Sequence, residues 1–421
     1  MHILQPPLLS YNEFFHLDEH DRLHMVLQAI NAEDLLKVLD DEHQLGNVQY
    51  KARSLWSCLI AGVVYQIPEI AELRRNLSSN PYLRFVCGIS ASRIPSQSTF
   101  SRFLGRLARH QDLLQACIDD LVRRFACLAP GFGQTVAVDS TDVVAYSRGP
   151  KQGAADPDAR WGVKGSKEGQ SKGKVGRSFH KDNKYHWFGY KLHLLVDALY
   201  EIPIGFEVTG ANEADTTHFE PLLQERDRLL PQVQLKVGIA DAGYDSKANC
   251  LAVRQRGGVP IIPLNLGGEK APPGITNSQG TPLCPVGLPM VYWGRDGDYL
   301  KYRCPQVAGK LCCLLDHQAT DRCSLSDYKL VIKLKMDDDP RRYVPVPRET
   351  KKWKKLYRLR SAVERVNSRL KAHLALDELR VRGIGKVRCR LSLSVLVMLA
   401  VAVAMAEHQE LDQARRLVRA A

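Results

Sequence analysis

The sequence is poor in the features that are typical of secretion signals and of membrane-spanning segments. Residues 1–7 contain neither a basic segment nor an uninterrupted apolar core, so we expect no signal peptide. The one long apolar run, 391–406, falls short of the roughly 20 residues that a spanning helix needs, and it contains Ser392 and Ser394. We therefore expect a buried C-terminal helix, no contact with a membrane and a cytoplasmic protein.

The sequence also lacks the closely spaced cysteine pairs that are typical of a zinc knuckle. It has 11 cysteines, which is an odd number. Cys58, Cys87, Cys117 and Cys127 occur in apolar contexts typical of helices, which predicts buried thiols in a reducing compartment.

The cysteines between residues 257 and 347 leave two interpretations open. Only Cys312 and Cys313 are neighbours, and adjacent cysteines rarely bind one ion together. Either this segment contains free thiols or it holds a structural zinc ion. The ligands of such an ion would be Cys284, Cys304, one of the adjacent pair (Cys312 or Cys313) and Cys323, with His317 in reserve.

The chain has fewer acidic than basic residues. The 421 residues include 59 Lys+Arg and 46 Asp+Glu, a formal charge of +13, and the isoelectric point is about 9.2. A chain of this length can form two or three domains. The positive excess favours a polyanionic partner, most commonly nucleic acid.

Three kinds of segment follow one another along the chain. Residues 1–128 have helical periodicity interrupted by prolines, which predicts a helical domain. Residues 129–256 and 348–410 alternate strand and helix patterns and are predicted to form one α/β core. Residues 257–347 are rich in Gly and Pro, with weak strands over 300–303 and 328–334, which indicates a small β-rich insertion.

One predicted helix in the first segment has a basic face. Ser96 or Ser98 can cap it, and Arg102 and Arg106 then lie one turn apart on the same side. Such a helix is suited to entering a DNA major groove. The alternative is a packing helix with solvated arginines. The face expected to pack against the protein consists of Phe100, Phe103, Leu104 and Leu107.

A basic segment poor in aliphatic residues follows the first strand of the core. Between Arg148 and Lys191 there are eleven Lys/Arg and four Asp/Glu residues. The abundance of Gly, Ser and Lys over 148–184 predicts a mobile loop. It is either a solvated linker or an arm that binds phosphates, with Lys191 at its end.

Two hairpin strands and a helix are predicted next. Residues 188–197 and 202–208 have strand patterns, and the turn between them contains Tyr200 and Glu201, so the strands should pair antiparallel. Thr217 and Glu220 have the spacing of a capping box at the start of a helix over 219–230.

Two acidic residues end apolar strand patterns. Val136 and Val138 predict a short buried strand that reaches Asp139, and the alternating pattern of 233–240 reaches Asp241. A carboxylate at such a position is unfavourable unless a cation or a hydrogen-bond donor compensates it. Capping of the following turn is the alternative for Asp139 taken alone.

A third acid lies on a basic helix. Residues 348–371 contain ten Lys/Arg and two Asp/Glu. At roughly 100° per residue, a stripe about 60° wide brings together Tyr357, Arg360, Glu364 and Lys371. A solvated helix in which Glu364 only forms ion pairs is the alternative.

Three carboxylates without a nearby His or Cys predict a site for Mg²⁺ or Mn²⁺ rather than zinc. Two such ions about 4 Å apart can activate a water or a 3′-hydroxyl and stabilise the leaving oxygen of a phosphodiester. The expected ligands are Asp139, Asp241 and Glu364, and the flanking Tyr, Arg and Lys would hold DNA phosphates.

At these residues the chain resembles the DDE transposases of bacterial insertion sequences. The similarity covers most of the chain beyond residue 130, and the Tyr-x₂-Arg-x₃-Glu-x₆-Lys signature is complete from Tyr357 to Lys371. The resemblance implies an RNase H-like catalytic core in which Asp139, Asp241 and Glu364 form the catalytic, metal-binding triad. It also implies that Tyr357, Arg360 and Lys371 contact the transposon end, and that 257–347 is the insertion of this family.

The resemblance also implies partners and a reaction. The partners are the terminal inverted repeats of the element and target DNA, bound by a homodimer that assembles on DNA at the bacterial nucleoid. The reaction is metal-dependent cleavage at the element ends followed by strand transfer. Two alternatives stay open, a non-catalytic DNA-binding regulator and a metal-dependent endonuclease. A tyrosine recombinase should carry an Arg-His-x-x-Arg constellation shortly before the tyrosine, and the sequence has none.

Overall fold

The chain has a mixed α/β fold in a computed structural model. The structure describes residues 22–416 apart from 43–48, 148, 150–155, 166–177, 182–183, 268–275, 311–322, 325 and 327–328. One large hydrophobic core extends from the first to the last of the described helical segments, and a second, smaller core lies in the insertion.

The residues before the sheet form helices. These are α1 (Arg22–Ala29), α2 (Glu33–Asp41), α3 (Ala52–Val64), α4 (Ile70–Ser79), α5 (Pro81–Cys87), α6 (Gln97–Leu107) and α7 (Gln111–Leu128). Their apolar faces belong to the same core as the sheet, so a boundary at residue 128 stays a prediction. The thiols of Cys58, Cys87 and Cys117 are buried as predicted, whereas the prediction for Cys127 is wrong because its side chain is exposed.

Helix α6 begins where its cap was predicted. Ser96 accepts a hydrogen bond of 3.1 Å from the backbone N–H of Thr99, which satisfies one of the free donors of the first turn. The apolar face consists of four residues buried as predicted, Phe100, Phe103, Leu104 and Leu107.

The central sheet is partly antiparallel and partly parallel. Its antiparallel part consists of β1 (Thr135–Val144), β4 (Lys184–Asp197) and β5 (Ile202–Gly210). The strands β6 (Val237–Ile239) and β7 (Val259–Ile261) are parallel to β1 and continue the sheet beyond it. The resulting order, β5-β4-β1-β6-β7, fits an RNase H-like core.

Two strands lie in the segment that was predicted to be a loop. β2 (Arg160–Gly165) and β3 (Ser178–Lys181) both pair with the first half of β4. The loop prediction for these residues is wrong, because β4 is 14 residues long and its beginning offers backbone hydrogen-bonding groups that short, polar strands can complete. The remainder of 148–184 lies partly outside the described residues.

The capping box predicted at Thr217 is also absent. A 3₁₀ turn, Asp215–His218, precedes helix α8 (Phe219–Leu229), so His218 occupies the N-cap position without a side-chain cap. The hydroxyl of Thr217 donates to the carbonyl of Ala214 at 2.7 Å instead. Helix α9 (Lys247–Gln255) connects β6 to β7.

The insertion contains an antiparallel three-stranded sheet. Its strands are β8 (Val291–Asp296), β9 (Tyr299–Arg303) and β10 (Val331–Lys335). They enclose a small core of their own, which includes Met290, Leu300, Tyr302 and Met336. Strand β7 was assigned to the insertion but pairs with β6 in the central sheet.

Three helices complete the fold. α10 (Lys351–Tyr357) and α11 (Ser361–His373) are separated by a 3₁₀ turn, Arg358–Arg360, where the sequence predicted one continuous helix. α12 (Ile384–Glu407) is long and apolar enough to cross a membrane by those criteria alone, but 94% of its most apolar window is buried inside the protein. The prediction of a buried C-terminal helix is confirmed.

Candidate active site

Asp139 and Asp241 occupy equivalent positions relative to two adjacent parallel strands, Asp139 within β1 and Asp241 just after the end of β6. Ala137 of β1 is paired with Ile239 of β6, and each aspartate lies two residues further along its chain. The prediction that the strand ends at Asp139 is wrong, because β1 continues to Val144 against β4. The parallel ladder with β6 nevertheless ends just before both acids, and the two carboxyl groups are close enough for the charge of Asp241 to act on Asp139.

Burial and mutual repulsion act on these two carboxyl groups. Burial, together with the charge of Asp241, raises the pKa of Asp139 to about 7 against the opposing effects of Arg360 and the Ser140 amide. The Ser140 N–H donates to Asp139 Oδ1 at 2.9 Å. Burial also raises the pKa of Asp241, although the Gly243 N–H donates to its Oδ1 at 2.8 Å. A cation bound near the two carboxylates would therefore stabilise their charged forms.

Arg360 connects Glu364 to the aspartates. Its Nη2 donates to Glu364 Oε1 at 2.5 Å, and its Nη1 is 3.6 Å from Asp139 Oδ2. The same guanidinium lies over the ring of Tyr357, 5.9 Å from its centroid, and Tyr357 is stacked on Trp353 at 4.8 Å. The predicted stripe on α10 and α11 therefore faces the sheet, and half of the Glu364 side chain is still exposed.

A second charged cluster lies two turns of α11 beyond Glu364, and its contacts were not predicted. Lys371 Nζ is 3.4 Å from Asp142 Oδ1, and Lys164 of β2 is 2.6 Å from the same oxygen. Burial alone would raise the pKa of Asp142, but the two lysines hold it below its ordinary value. The only signal in the sequence was the position of Asp142 three residues after Asp139.

The other predicted DNA-binding residues lie elsewhere. Lys191 Nζ is bound to Asp215 at 2.9 Å and to the carbonyl of Glu213 at 2.7 Å, which leaves its side chain 12% exposed. Arg106 donates to the carbonyl of Leu39 at 2.9 Å. Arg102, one turn earlier on α6, is exposed.

A stacked pair of histidines, of which His193 is buried and His218 partly buried, lies beside the Lys191–Asp215 contact. The rings of His193 and His218 are stacked at 4.1 Å, and His193 Nε2 is 3.0 Å from the hydroxyl of Thr209. Burial and the neighbouring His218 lower the pKa of His193 to about 4. The stacked rings connect β4 to the 3₁₀ turn that precedes α8.

The donor set around β1 and β6 is suited to a hard divalent cation. Two adjacent carboxylates that repel each other, with a third carboxylate held by a single arginine, offer only oxygen ligands. Over the part of the chain that the structure describes, no three His, Cys, Asp or Glu side chains converge as a preformed metal site. Arg360 supplies the positive charge between Asp139 and Glu364.

The predicted zinc ligands are only partly described. Cys284 and Cys304 are buried, and Cys323 is partly exposed. Cys312, Cys313 and His317 lie outside the described residues, so the zinc site stays a prediction.

Comparisons with known proteins gave unequal results. No curated protein sequence matches the chain. Among solved structures, it is similar to a cryo-EM structure of the piggyBac transposase synaptic complex with hairpin DNA, at 11% identity and a TM-score of 0.41, covering 95% of this chain and 80% of that one. A TM-score this low does not establish a shared fold.

The family matches are extensive. A family described as "Transposase domain (DUF772)" matches residues 11–106, and the "Transposase DDE domain" family matches residues 130–400. The second match contains β1, the turn after β6 and α11, which carry Asp139, Asp241 and Glu364. The chain belongs to the DDE transposase family and is a DNA transposase, an enzyme that cleaves DNA and transfers its strands.

Proposed function

We propose that Asp139, Asp241 and Glu364 are the catalytic carboxylates and that the transposase acts at the ends of a bacterial insertion sequence. The observation that carries this proposal is the equivalent placement of Asp139 and Asp241 beyond the paired Ala137 and Ile239. The link from Glu364 through Arg360 to Asp139 supports the third assignment.

DDE transposases generally use divalent metal ions. We infer that the ion is Mg²⁺ or Mn²⁺ and that Asp139, Asp241 and Glu364 hold it. When bound, such ions polarise the phosphodiester and favour attack by a water or a 3′-hydroxyl. The carboxylates are suited to this role because a cation relieves the repulsion between Asp139 and Asp241, which burial makes more unfavourable.

The chain binds DNA as a member of its family. For the DNA near the scissile phosphate we propose Tyr357, Arg360 and Lys371 as contacts, because Arg360 and Lys371 flank Glu364 and carry positive charge. The exposed lysines of α10 extend this basic surface. They are Lys351, Lys352, Lys354 and Lys355.

Further contacts are proposed at the N-terminal helices and at Lys191. Exposed Arg102 is suited to a phosphate or a base edge, whereas Arg106 and Lys191 first have to leave the partners that hold them. We also propose a homodimer assembled on DNA in the bacterial cytoplasm. Light scattering of the protein with and without end DNA tests the assembly.

A structural zinc ion in the insertion is a separate proposal. Cys284 and Cys304 each begin a tight turn, in which Gly287 N–H donates to the Cys284 carbonyl at 2.8 Å and Ala308 N–H donates to the Cys304 carbonyl at 3.2 Å. Elemental analysis of the purified chain tests it. About one zinc per chain supports the proposal, and its absence after purification in zinc-containing buffer contradicts it.

The proposed reaction is tested by incubating the protein with element-end DNA and a target plasmid, with and without Mg²⁺. Joined products that require Mg²⁺ support insertion-sequence transposition. Cut ends without joining indicate an endonuclease, and bound but intact DNA indicates a regulator. A matched substrate with scrambled ends shows whether the terminal sequence is recognised.

A further inference from the structure

The turn between β4 and β5 contains a strained residue. Glu201 has φ +58°, a left-handed conformation that glycine adopts freely and that a glutamate adopts at an energetic cost. Its amide donates to the Asp197 carbonyl at 3.0 Å, which closes the turn. Such a conformation persists where the surrounding contacts offset its cost.

The Glu201 carboxylate is buried among three arginines. Oε1 accepts from Arg365 Nε at 2.8 Å and lies 3.4 Å from Arg415 Nη1, while Oε2 is 3.7 Å from Arg369 Nη2. Arg369 also donates to the backbone carbonyl of Glu201 and, through Nη1, to that of Arg415 at 2.6 Å. We call these four residues the Glu201 cluster.

The Glu201 cluster attaches α11 to the hairpin. Arg365 and Arg369 are one turn apart on α11, and Arg365 directly follows Glu364. On the other side of the helix, Lys371 reaches Asp142 of β1. Helix α11 is therefore fixed on two sides, and its rotation about its axis determines where Glu364 lies relative to β1.

We propose that Glu201 is a positioning residue for the transposase reaction, because it sets the rotation and depth of the helix that carries Glu364. This inference depends on the proposed role of Glu364 as the third carboxylate. A displacement of about 1 Å at a reacting group can slow catalysis roughly 100-fold. A carboxylate bound to two successive turns of α11 limits such a displacement, whereas a neutral turn residue does not.

The alternative is that Glu201 only stabilises the fold, and the strained turn allows the two roles to be separated. Glu201→Gly removes the carboxylate and also relieves the left-handed strain, so the two effects on stability oppose each other. Glu201→Gln removes the charge and keeps the strain. A purely structural role predicts that loss of activity follows loss of stability across the two variants.

Two control variants isolate the separate effects. Gln66 has the same φ of +58° and is exposed, so Gln66→Gly reports strain relief alone. Asp119 is a buried carboxylate 2.5 Å from Arg228, on α7 rather than beside α11. Asp119→Asn therefore reports the loss of a buried arginine partner away from Glu364.

The full-length variants are compared by thermal unfolding, by steady-state cleavage of end DNA in Mg²⁺ and by hydrogen exchange of α11. We expect both Glu201 variants to lose at least about tenfold in kcat with the KM for DNA nearly unchanged, and the amides of 361–373 to exchange faster. Both controls should keep the wild-type kcat. The Glu201→Gly variant should lose this activity at a melting temperature close to that of wild type.

Two results would overturn the inference. One is a kcat within about twofold of wild type for both Glu201 variants. The other is a loss of kcat that matches the fall in melting temperature and also occurs in Asp119→Asn. Failure of the proposed function has a different signature, because Glu364→Gln would then cleave like wild type while α11 in that variant exchanges normally.

Discussion

Arg360 Nη2 donates a hydrogen bond of 2.5 Å to Oε1 of Glu364, four residues further along the chain. The other terminal nitrogen of this guanidinium is 3.6 Å from Asp139 Oδ2. Arg360 therefore neutralises part of the acidic cluster from a position between two proposed metal ligands. Its positive charge and a bound cation compete for the same carboxylates.

We expect Arg360→Ala to bind Mn²⁺ at least as tightly as wild type in the absence of DNA, because removal of a positive charge favours cation binding. Cleavage should slow, since a lost charge-assisted contact to a phosphate is worth about 1.5–3 kcal/mol, or roughly 10- to 150-fold. Calorimetry and cleavage rates measure the two effects. Arg358→Ala, which removes an exposed charge from the same 3₁₀ turn, is the control. Much weaker Mn²⁺ binding by Arg360→Ala would show that the arginine holds the carboxylates together.

Lys371→Ala should slow cleavage with little effect on stability. Asp142 keeps Lys164 as a partner at 2.6 Å when Lys371 is removed, so the free energy of unfolding should fall by less than about 1 kcal/mol. Chemical denaturation and cleavage kinetics test the two halves of this expectation. Lys335→Ala, on an exposed position of β10, is the matched control. A large loss of stability with unchanged cleavage contradicts a role in DNA contact.

DNA binding should weaken steeply with salt. The basic clusters at 148–191 and 348–371 release counterions from DNA, so log affinity should fall linearly with log salt concentration. Replacing the four exposed α10 lysines by Gln should lower the slope by about 0.9 for each lost phosphate contact. A slope that does not change in this variant would exclude α10 from the DNA interface. The residues are Lys351, Lys352, Lys354 and Lys355.

The protein should lose stability between pH 6.5 and pH 4 through His193. Its folded pKa of about 4 lies below the ordinary value of 6.5, so the unfolded chain binds the proton first as the pH falls. The contribution is complete above pH 6.5 and is lost progressively below it. The groups around the ring that modulate this effect are His218, Asp215, Lys191, Glu207 and Thr209.

Thermal unfolding across this pH range measures the effect in wild type and in His193→Gln. The variant should show a flatter profile, because it has no imidazole to protonate. His408→Gln, on the surface at the end of α12, should keep the wild-type profile. Equal slopes for His193→Gln and wild type would show that another group titrates.

The parts of the site that depend on local pattern were predictable from the sequence. Alternating Val136 and Val138 indicate a buried strand whichever elements surround it, and the acid that follows is conspicuous because carboxylates are unfavourable in such positions. The stripe from Tyr357 to Lys371 follows from helical geometry. The 3₁₀ turn at 358–360 interrupts the helix, but Tyr357, Arg360 and Glu364 still lie next to one another.

Contacts between distant segments could not be predicted in this way. The pairing of Asp142 with Lys164 depends on the register of β2 against β4, which a polar, Gly-rich sequence does not specify. The Glu201 cluster depends on how α11 packs on the hairpin. The capping box at Thr217 failed because a 3₁₀ turn occupies the residues that a longer α-helix would have required.

The most direct test of the catalytic assignment is the Mg²⁺-dependent cleavage rate of Asp139→Asn, Asp241→Asn and Glu364→Gln, with binding to end DNA measured in parallel. Each change keeps the shape of the side chain and removes the charge that binds a metal. We expect cleavage to be abolished in all three variants while the affinity for end DNA stays close to wild type. Cleavage within roughly tenfold of wild type by any one of them would contradict its assignment to the triad.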